Sequence, residues 1–147
     1  MTYKVIGLAA DHAGFEHKEY VKHYLVQQGV EVKDFGTYSE ERMDYPDVAH
    51  PLAEAVLGKT VETGVAFCGT GNGMAISLNR HKGVRAGLSW TPAIAQLARQ
   101  HNDANICVVP ARFVDAHTAQ QIVSAFLTSA FEGGRHLCRI EKIENCK

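Results

Sequence analysis

Apolar residues in this chain follow two spacings, and each spacing predicts one kind of element. Short continuous or alternating apolar runs are typical of strands, whereas apolar residues three or four positions apart are typical of helices. The first pattern predicts five strands, at residues 3–8, 30–35, 63–68, 83–89 and 105–109. The second predicts six helices, at about 15–28, 46–57, 74–80, 92–101, 116–130 and 135–143.

The alternation of strands with helices predicts an α/β fold. Five strands separated by helices favour one five-stranded parallel sheet with helices on both faces, a three-layer α/β/α sandwich. A chain of 147 residues is expected to form one domain, residues 1–147. In such sheets ligands bind beyond the carboxyl ends of the strands. If strands one and three are neighbours, Asp11 and His12 face Cys68 across that crevice.

Composition excludes several classes of partner. The net charge is −1 and no block of basic residues occurs, so neither nucleic acid nor a membrane surface is an expected partner. No signal peptide or membrane-spanning run is found either. The four cysteines have neither metal-ligand nor disulfide-framework spacing: Cys68, Cys107, Cys138 and Cys146. We therefore expect a cytoplasmic protein with reduced thiols and no metal.

The segment 65–74 is the main candidate for chemistry. An apolar strand ends at Cys68, and three glycines then alternate with Thr70 and Asn72 before a helix starts. Backbone N–H groups and a helix N-terminus at such a turn favour an anion. A dinucleotide fingerprint would need glycine in place of Met74, and the Gly-Lys-Ser/Thr of a Walker loop is absent. A purely structural turn is the alternative, and we favour the anion cradle.

Cys68 has two interpretations. By residue type alone it is a small buried hydrophobe. A helix N-terminus and adjacent amides are expected, however, to lower the pKa of this thiol and make it a base or nucleophile. The other three cysteines lack such a setting.

Charged residues elsewhere also have two interpretations. Asp11 is either a helix cap beside a surface histidine, His12, or both residues belong to a site. His101 lies at the end of a helix, where its charge would be favourable to the helix dipole, or it is a functional residue. Arg135 and Arg139 share one helical face. Either this face is solvated, or the two arginines bind a phosphate together with Arg112. We expect the thiol, the amides, the histidines and the arginines on one side of the sheet. Together they suit proton transfer between adjacent carbons of a phosphorylated sugar through an enediolate, without metal or cofactor.

Six ordered motifs carry a resemblance to a known family. They are Asp11-His12-Ala13-Gly14, Asp34-Phe35-Gly36-Thr37, Asp44-Tyr45-Pro46, Cys68-Gly69-Thr70-Gly71-Asn72-Gly73-Met74, His101-Asn102-Asp103 and Glu132-Gly133-Gly134-Arg135-His136. With them the chain closely resembles the type B ribose-5-phosphate isomerases, within the wider ribose/galactose-6-phosphate isomerase family. The resemblance covers nearly the whole chain.

The resemblance implies a flavodoxin-like sandwich that forms a homodimer or tetramer with active sites between subunits. The C-terminal helix, about 135–143, would reach the partner subunit. The implied activity is the interconversion of ribose 5-phosphate and ribulose 5-phosphate without a cofactor.

The resemblance also implies residue roles. Cys68 is the proton-transfer base, Thr70 helps steady the enediolate, and His101 assists ring opening beside the partner's Asp11. The implied substrate contacts are His12, Tyr45, Gly69, Gly71, Asn72, Gly73, Asn102, Arg112, Arg135 and Arg139.

One segment departs from the family pattern. After strand four the family often carries Cys-His-Asp followed by an aromatic residue two positions on, whereas this chain has Ser89-Trp90-Thr91-Pro92-Ala93. The substrate therefore stays open at this point. The alternatives are allose 6-phosphate, galactose 6-phosphate or a tetrose phosphate, and a non-catalytic module that binds phosphosugars.

Overall fold

The computed structural model describes residues 2–145 of the chain. Its strands are β1 (Val5–Ala10), β2 (Glu31–Asp34), β3 (Thr63–Cys68), β4 (Ala86–Leu88) and β5 (Ile106–Pro110). Its helices are α1 (Phe15–Gln27), α2 (Pro46–Leu57), α3 (Asn72–Asn79), α4 (Pro92–Asn102), α5 (Ala116–Thr128) and α6 (Arg135–Glu144). Among these residues, no helix has the length and apolar character needed to cross a membrane.

The five strands form one parallel sheet in the order β2-β1-β3-β5-β4. Buried residues form one cluster between the sheet and α1, α4 and α5, and a second between the sheet and α2 and α3. The predicted α/β/α sandwich is thus confirmed. The order differs from the flavodoxin order 2-1-3-4-5 because β5 lies between β3 and β4. β1 and β3 are neighbours, which is the condition under which Asp11 and His12 were expected to face Cys68.

The edge strand β4 is shorter than the predicted segment 83–89. Gly83 has a left-handed φ of 96°, which forms a turn instead of a strand. The backbone N–H of Arg85 donates to the side-chain oxygen of Asn105 at 2.8 Å. The Arg85 N–H is thus bonded to a side chain, and the pairing of β4 with β5 begins at Ala86 opposite Ile106.

A buried ion pair holds the loop that follows β2. Nζ of Lys18, a fully buried side chain, lies 2.6 Å from Oδ2 of Asp34, and Nζ of Lys22 lies 2.9 Å from the same oxygen. Burial disfavours the charge of Asp34, but these bonds and one from the Gly36 N–H hold its pKa below the ordinary value. The Gly36 carbonyl accepts from the N–H of Ala10 at 2.7 Å. The pair thus fixes the loop 37–45 beside the end of β1.

Candidate active site

A cleft of about 500 Å³ opens at the carboxyl ends of the strands. Its lining comes from the ends of β1, β3 and β5 and from the loop before α2: Asp11, His12, Arg42, Met43, Asp44, Tyr45, Cys68, Gly69, Thr70, Gly73 and Arg112. Strands β1 and β3 are neighbours whose crossover connections leave in opposite directions, to β2 and toward β4. The cleft therefore lies at the topological switch point, where ligands bind in open α/β sheets.

Cys68 and Asp11 both line this cleft, and each is only 6% exposed. Burial, and then the negative charge of Asp11, raise the pKa of the thiol, while the backbone amides of Met74 and Gly71 lower it. The first two effects outweigh the amides, so the expectation of a lowered thiol pKa is wrong for this chain. The amides are present as predicted, but the sequence does not show the burial or the approach of Asp11. The thiol is protonated at rest, with a carboxylate beside it as hydrogen-bond acceptor.

This arrangement predicts the effect of Asp11→Asn on the thiol. Removing the carboxylate charge should lower the pKa of Cys68, so the pH profile of its alkylation by iodoacetamide should shift to lower pH. The rate of labelling, followed by peptide mass spectrometry, measures the shift. Cys138, exposed on α6, is the internal reference whose profile should stay unchanged. An unchanged profile for Cys68 would show that Asp11 does not control the thiol.

The glycines after Cys68 permit close approach of other groups. Gly71 caps α3 with a φ of 80°, a left-handed conformation that L side chains rarely adopt. A Cβ at Gly73 would collide with the ring of Tyr45, and one at Gly69 would lie 3.2 Å from Cδ of Arg112. The turn is therefore packed against two side chains of the cleft wall. The backbone N–H groups that follow belong to the first turn of α3, where partial positive charge favours an anion.

Thr70 is exposed on the cleft wall. Its Oγ1 accepts a hydrogen bond from the Asn72 N–H at 3.2 Å. The hydroxyl proton is therefore free to be donated to an oxygen in the cleft.

His12 has a defined tautomer. Its Nδ1 lies 3.3 Å from the backbone N of Met43 and accepts that hydrogen bond, so in the neutral ring Nε2 carries the proton. His12 and the exposed Arg112 are therefore two hydrogen-bond donors in the cleft.

Arg42 is a further side-chain donor in the cleft lining, and residue-type reasoning missed it. The only sequence signal was its place in the loop 37–45, which has the polar, non-periodic composition of a functional loop.

Four predicted site residues lie elsewhere in the chain. His101, Asn102, Arg135 and Arg139 are at the end of α4 and on α6. Because α4 runs antiparallel to the strands, its C-terminus lies at the amino edge of the sheet. There the carbonyl of Asn102 accepts from Nε of Arg85, just before β4, at 3.0 Å. The expectation that His101, Arg135 and Arg139 lie on the same side of the sheet as Cys68 is therefore wrong within a single chain, whereas His12 and Arg112 do lie on that side.

The segment that departs from the family pattern lies outside the cleft lining. Thr91 caps α4, with Oγ1 accepting from the Ile94 N–H at 3.2 Å. The ring of Trp90 is exposed and lies 5.1 Å from that of Phe113, centroid to centroid. Neither Trp90 nor Ala93 is among the described residues that line the cleft.

Comparison with known proteins gives consistent results. A ribose-5-phosphate isomerase B from Escherichia coli is 46% identical over 140 residues, which are 95% of this chain and 94% of that protein. A probable ribose-5-phosphate isomerase B from Mycoplasma pneumoniae is 42% identical over 94% of this chain and 91% of that protein.

Solved structures agree. The ribose 5-phosphate isomerase of Thermotoga maritima has a TM-score of 0.96 and 49% identity, covering 99% of this chain and 100% of its own. The Mycoplasma genitalium ribose-5-phosphate isomerase B, solved with bound ribulose-5-phosphate, has a TM-score of 0.91 and 38% identity. The match covers 96% of this chain and 94% of that one. The model of the family described as Ribose/Galactose Isomerase matches residues 6–143. The chain therefore belongs to the ribose/galactose isomerase family of sugar phosphate isomerases.

Proposed function

We propose that this chain interconverts ribose 5-phosphate and ribulose 5-phosphate through an enediolate, with Cys68 as the base. The observation that carries the proposal is the position of the Cys68 thiol in the cleft, beside Asp11 and under an amide-rich helix N-terminus. Relatives named as ribose-5-phosphate isomerases, at 42% and 46% identity, support the same substrate.

The proposed steps balance without a further reactant. The Asp11 carboxylate accepts the thiol proton, and the thiolate then takes the proton on C2 of the open-chain aldose. The electron pair of that C–H bond forms the C1–C2 double bond, while the aldehyde oxygen becomes negative. The thiol returns a proton to C1, and proton exchange between the two oxygens leaves a ketone at C2.

The negative oxygen of the enediolate needs preorganised donors. The Thr70 hydroxyl and the backbone N–H groups of Gly69 and Gly73, three residues that line the cleft, are proposed to supply them. Donors aimed at charge that develops in the transition state commonly give the largest catalytic term, about 3–4 kcal/mol for one such donor.

We further propose that the active site is completed by a second copy of the chain. His101, Asn102, Arg135 and Arg139 lie at the amino edge of their own sheet, so a partner must bring them to Cys68. Exposed apolar side chains near the cleft and on α4 and α6 suit such an interface: Trp90, Ile94, Leu97, Phe113 and Leu137. α6 would then reach across to the partner, as a homodimer or within a tetramer.

The phosphate is proposed to bind to His12 and Arg112 of one chain and to Arg135 and Arg139 of the other. Arg135→Ala should therefore mainly raise KM, because a phosphate contact is made equally in the ground and transition states. Steady-state kinetics on ribose 5-phosphate measure this. Lys142→Ala, an exposed cation on the same helix, is the matched control and should leave KM unchanged. A fall in kcat with KM unaltered would contradict the phosphate role of Arg135.

A substrate panel tests the proposed function. Initial rates on ribose 5-phosphate, allose 6-phosphate, galactose 6-phosphate and a tetrose phosphate should give the largest kcat/KM for ribose 5-phosphate. A larger value for another sugar would keep the chemistry and replace the substrate. Binding without turnover of any of them would favour a non-catalytic phosphosugar-binding module.

We also propose a cytoplasmic location. Cys68, Cys107 and Cys138 are free thiols in the described residues, which suits a reducing compartment. Cys146 lies outside the described residues.

A further inference from the structure

Three metal-ligating side chains meet where α4 ends and α6 begins. Nε2 of His101 and Nε2 of His136 each lie 3.6 Å from Oε1 of Glu132. The ligand atoms of the three residues all lie within 4.8 Å of one another. The two imidazole rings are stacked, with centroids 4.4 Å apart and planes 17° apart. The proposed isomerisation uses His101 but gives no role to Glu132 or His136.

His136 points to a ligand independently of the cluster. Its side chain is only 7% exposed, and its Nε2 is one of two buried side-chain atoms without a hydrogen-bond partner in the described part of the chain. A buried polar atom that stays unpaired has lost its hydrogen bonds to water without replacing them, so a ligand at this position would stabilise it. Imidazole binds a metal through a ring nitrogen that carries no proton.

The spacing of the ligand atoms suits a small tetrahedral ion. With metal–ligand bonds of about 2.0–2.1 Å, the ligands of a tetrahedral zinc lie about 3.4 Å apart. The two distances of 3.6 Å are close to that value. The nearly parallel rings must tilt toward each other for both nitrogens to face one ion. His101 and Glu132 have side chains 37% and 47% exposed, so they have room to move toward the buried His136.

The backbone holds the ligands in place. The N–H of Glu132 donates to the carbonyl of Gln100 at 3.0 Å, which ties the segment before α6 to the end of α4. His136 lies in the first turn of α6, four residues after Glu132, which precedes the helix.

We propose that His101, Glu132 and His136 bind one divalent transition-metal ion of the zinc class, with the remaining position open to water. Two imidazole nitrogens and one carboxylate oxygen form a ligand set that proteins use for zinc. The exposed Arg135 and Arg139 on the same helix oppose a cation, and the Glu132 carboxylate offsets them in part. Cysteine spacing indicated no metal, because these ligands come from segments about thirty residues apart and only the fold unites them.

Isothermal titration of the tag-free, full-length protein with zinc chloride tests the site. We expect one ion per chain, with Glu132→Gln and His136→Gln each weakening the binding about tenfold or more, as loss of a supporting group alone costs 10–100-fold. His136 is buried, so its variant is checked by circular dichroism. Glu132 is exposed, and its variant keeps the test valid if His136→Gln fails to fold.

The matched control is His81→Gln. Nδ1 of His50 and Nε2 of His81 lie 2.7 Å apart, so these histidines are a second pair within the described residues whose nitrogens are close enough to compete for zinc. Binding lost in His81→Gln and retained in Glu132→Gln would overturn the proposal, as would the absence of stoichiometric binding to the wild type. Titration with Co²⁺ adds a spectroscopic readout. Tetrahedral d–d bands without thiolate charge transfer are expected, whereas thiolate bands would place the ion on a cysteine and also overturn it.

A consequence for turnover rests on the proposed function. Because the ion occupies the imidazole that is proposed to assist ring opening, zinc should inhibit the wild type and inhibit Glu132→Gln about tenfold less strongly. The two hypotheses fail separately. Zinc bound at this cluster without inhibition would count against His101 in catalysis, whereas inhibition without this binding would count against the metal site.

Discussion

Replacing Cys68 with alanine is expected to lower kcat for ribose 5-phosphate isomerisation by about 10³-fold or more while sugar phosphate binding is retained. The sulfur is the only base proposed to reach the C2 proton, and alanine removes it without touching the phosphate contacts. The raised pKa of the thiol also predicts the direction in which the rate changes with pH. Because the thiolate is the active form, kcat/KM of the wild type should rise with pH on the alkaline side of neutrality. Steady-state rates and calorimetry with ribose 5-phosphate measure turnover and binding separately.

Cys107→Ala is the matched control for that experiment. Cys107 is also a buried cysteine at the centre of the sheet, but burial raises its pKa to about 12, and it does not line the cleft. Its removal should leave kcat close to the wild-type value. Wild-type turnover in Cys68→Ala would remove the thiol from the mechanism, whatever the substrate.

Mixing two inactive variants is expected to restore activity, which is the second large effect. Cys68→Ala and His101→Gln homodimers should each be nearly inactive. A heterodimer pairs the intact Cys68 of one chain with the intact His101 of the other in one of its two sites. Random exchange of subunits makes half of the dimers mixed, so about a quarter of all sites should be active. The rate after mild unfolding and joint refolding, compared with wild type treated alike, measures this fraction.

The control uses two variants on the same side of the proposed site. Cys68→Ala mixed with Asp11→Asn should not recover activity, because no mixed site has both residues intact. If the Cys68→Ala and His101→Gln mixture also stays inactive although mixed dimers are shown by native mass spectrometry, the site does not lie between subunits.

Much of the fold and part of the site follow from the sequence alone. Hydrophobic spacing predicts every strand and helix, because burial on one or both faces demands a period of 2 or 3.6. The positions of Asp11 and Cys68 at strand ends predicted that they share a cleft if the first and third strands are neighbours, and the sheet order meets that condition. This inference works because parallel strands bring their carboxyl ends to one edge.

Tertiary structure alone decided four things: the place of β5 inside the sheet, the raised pKa of Cys68, the distance of His101 from the cleft, and the meeting of His101 with Glu132 and His136. Each depends on groups far apart in the chain. A local pattern shows that amides follow Cys68, but not that burial and Asp11 outweigh them. The pattern also shows that a helix ends at His101, but it does not show at which edge of the sheet that helix end lies. Local periodicity determines which segments are strands and which are helices. The pKa values and the contacts between distant side chains depend on burial and on long-range neighbours, which exist only after folding.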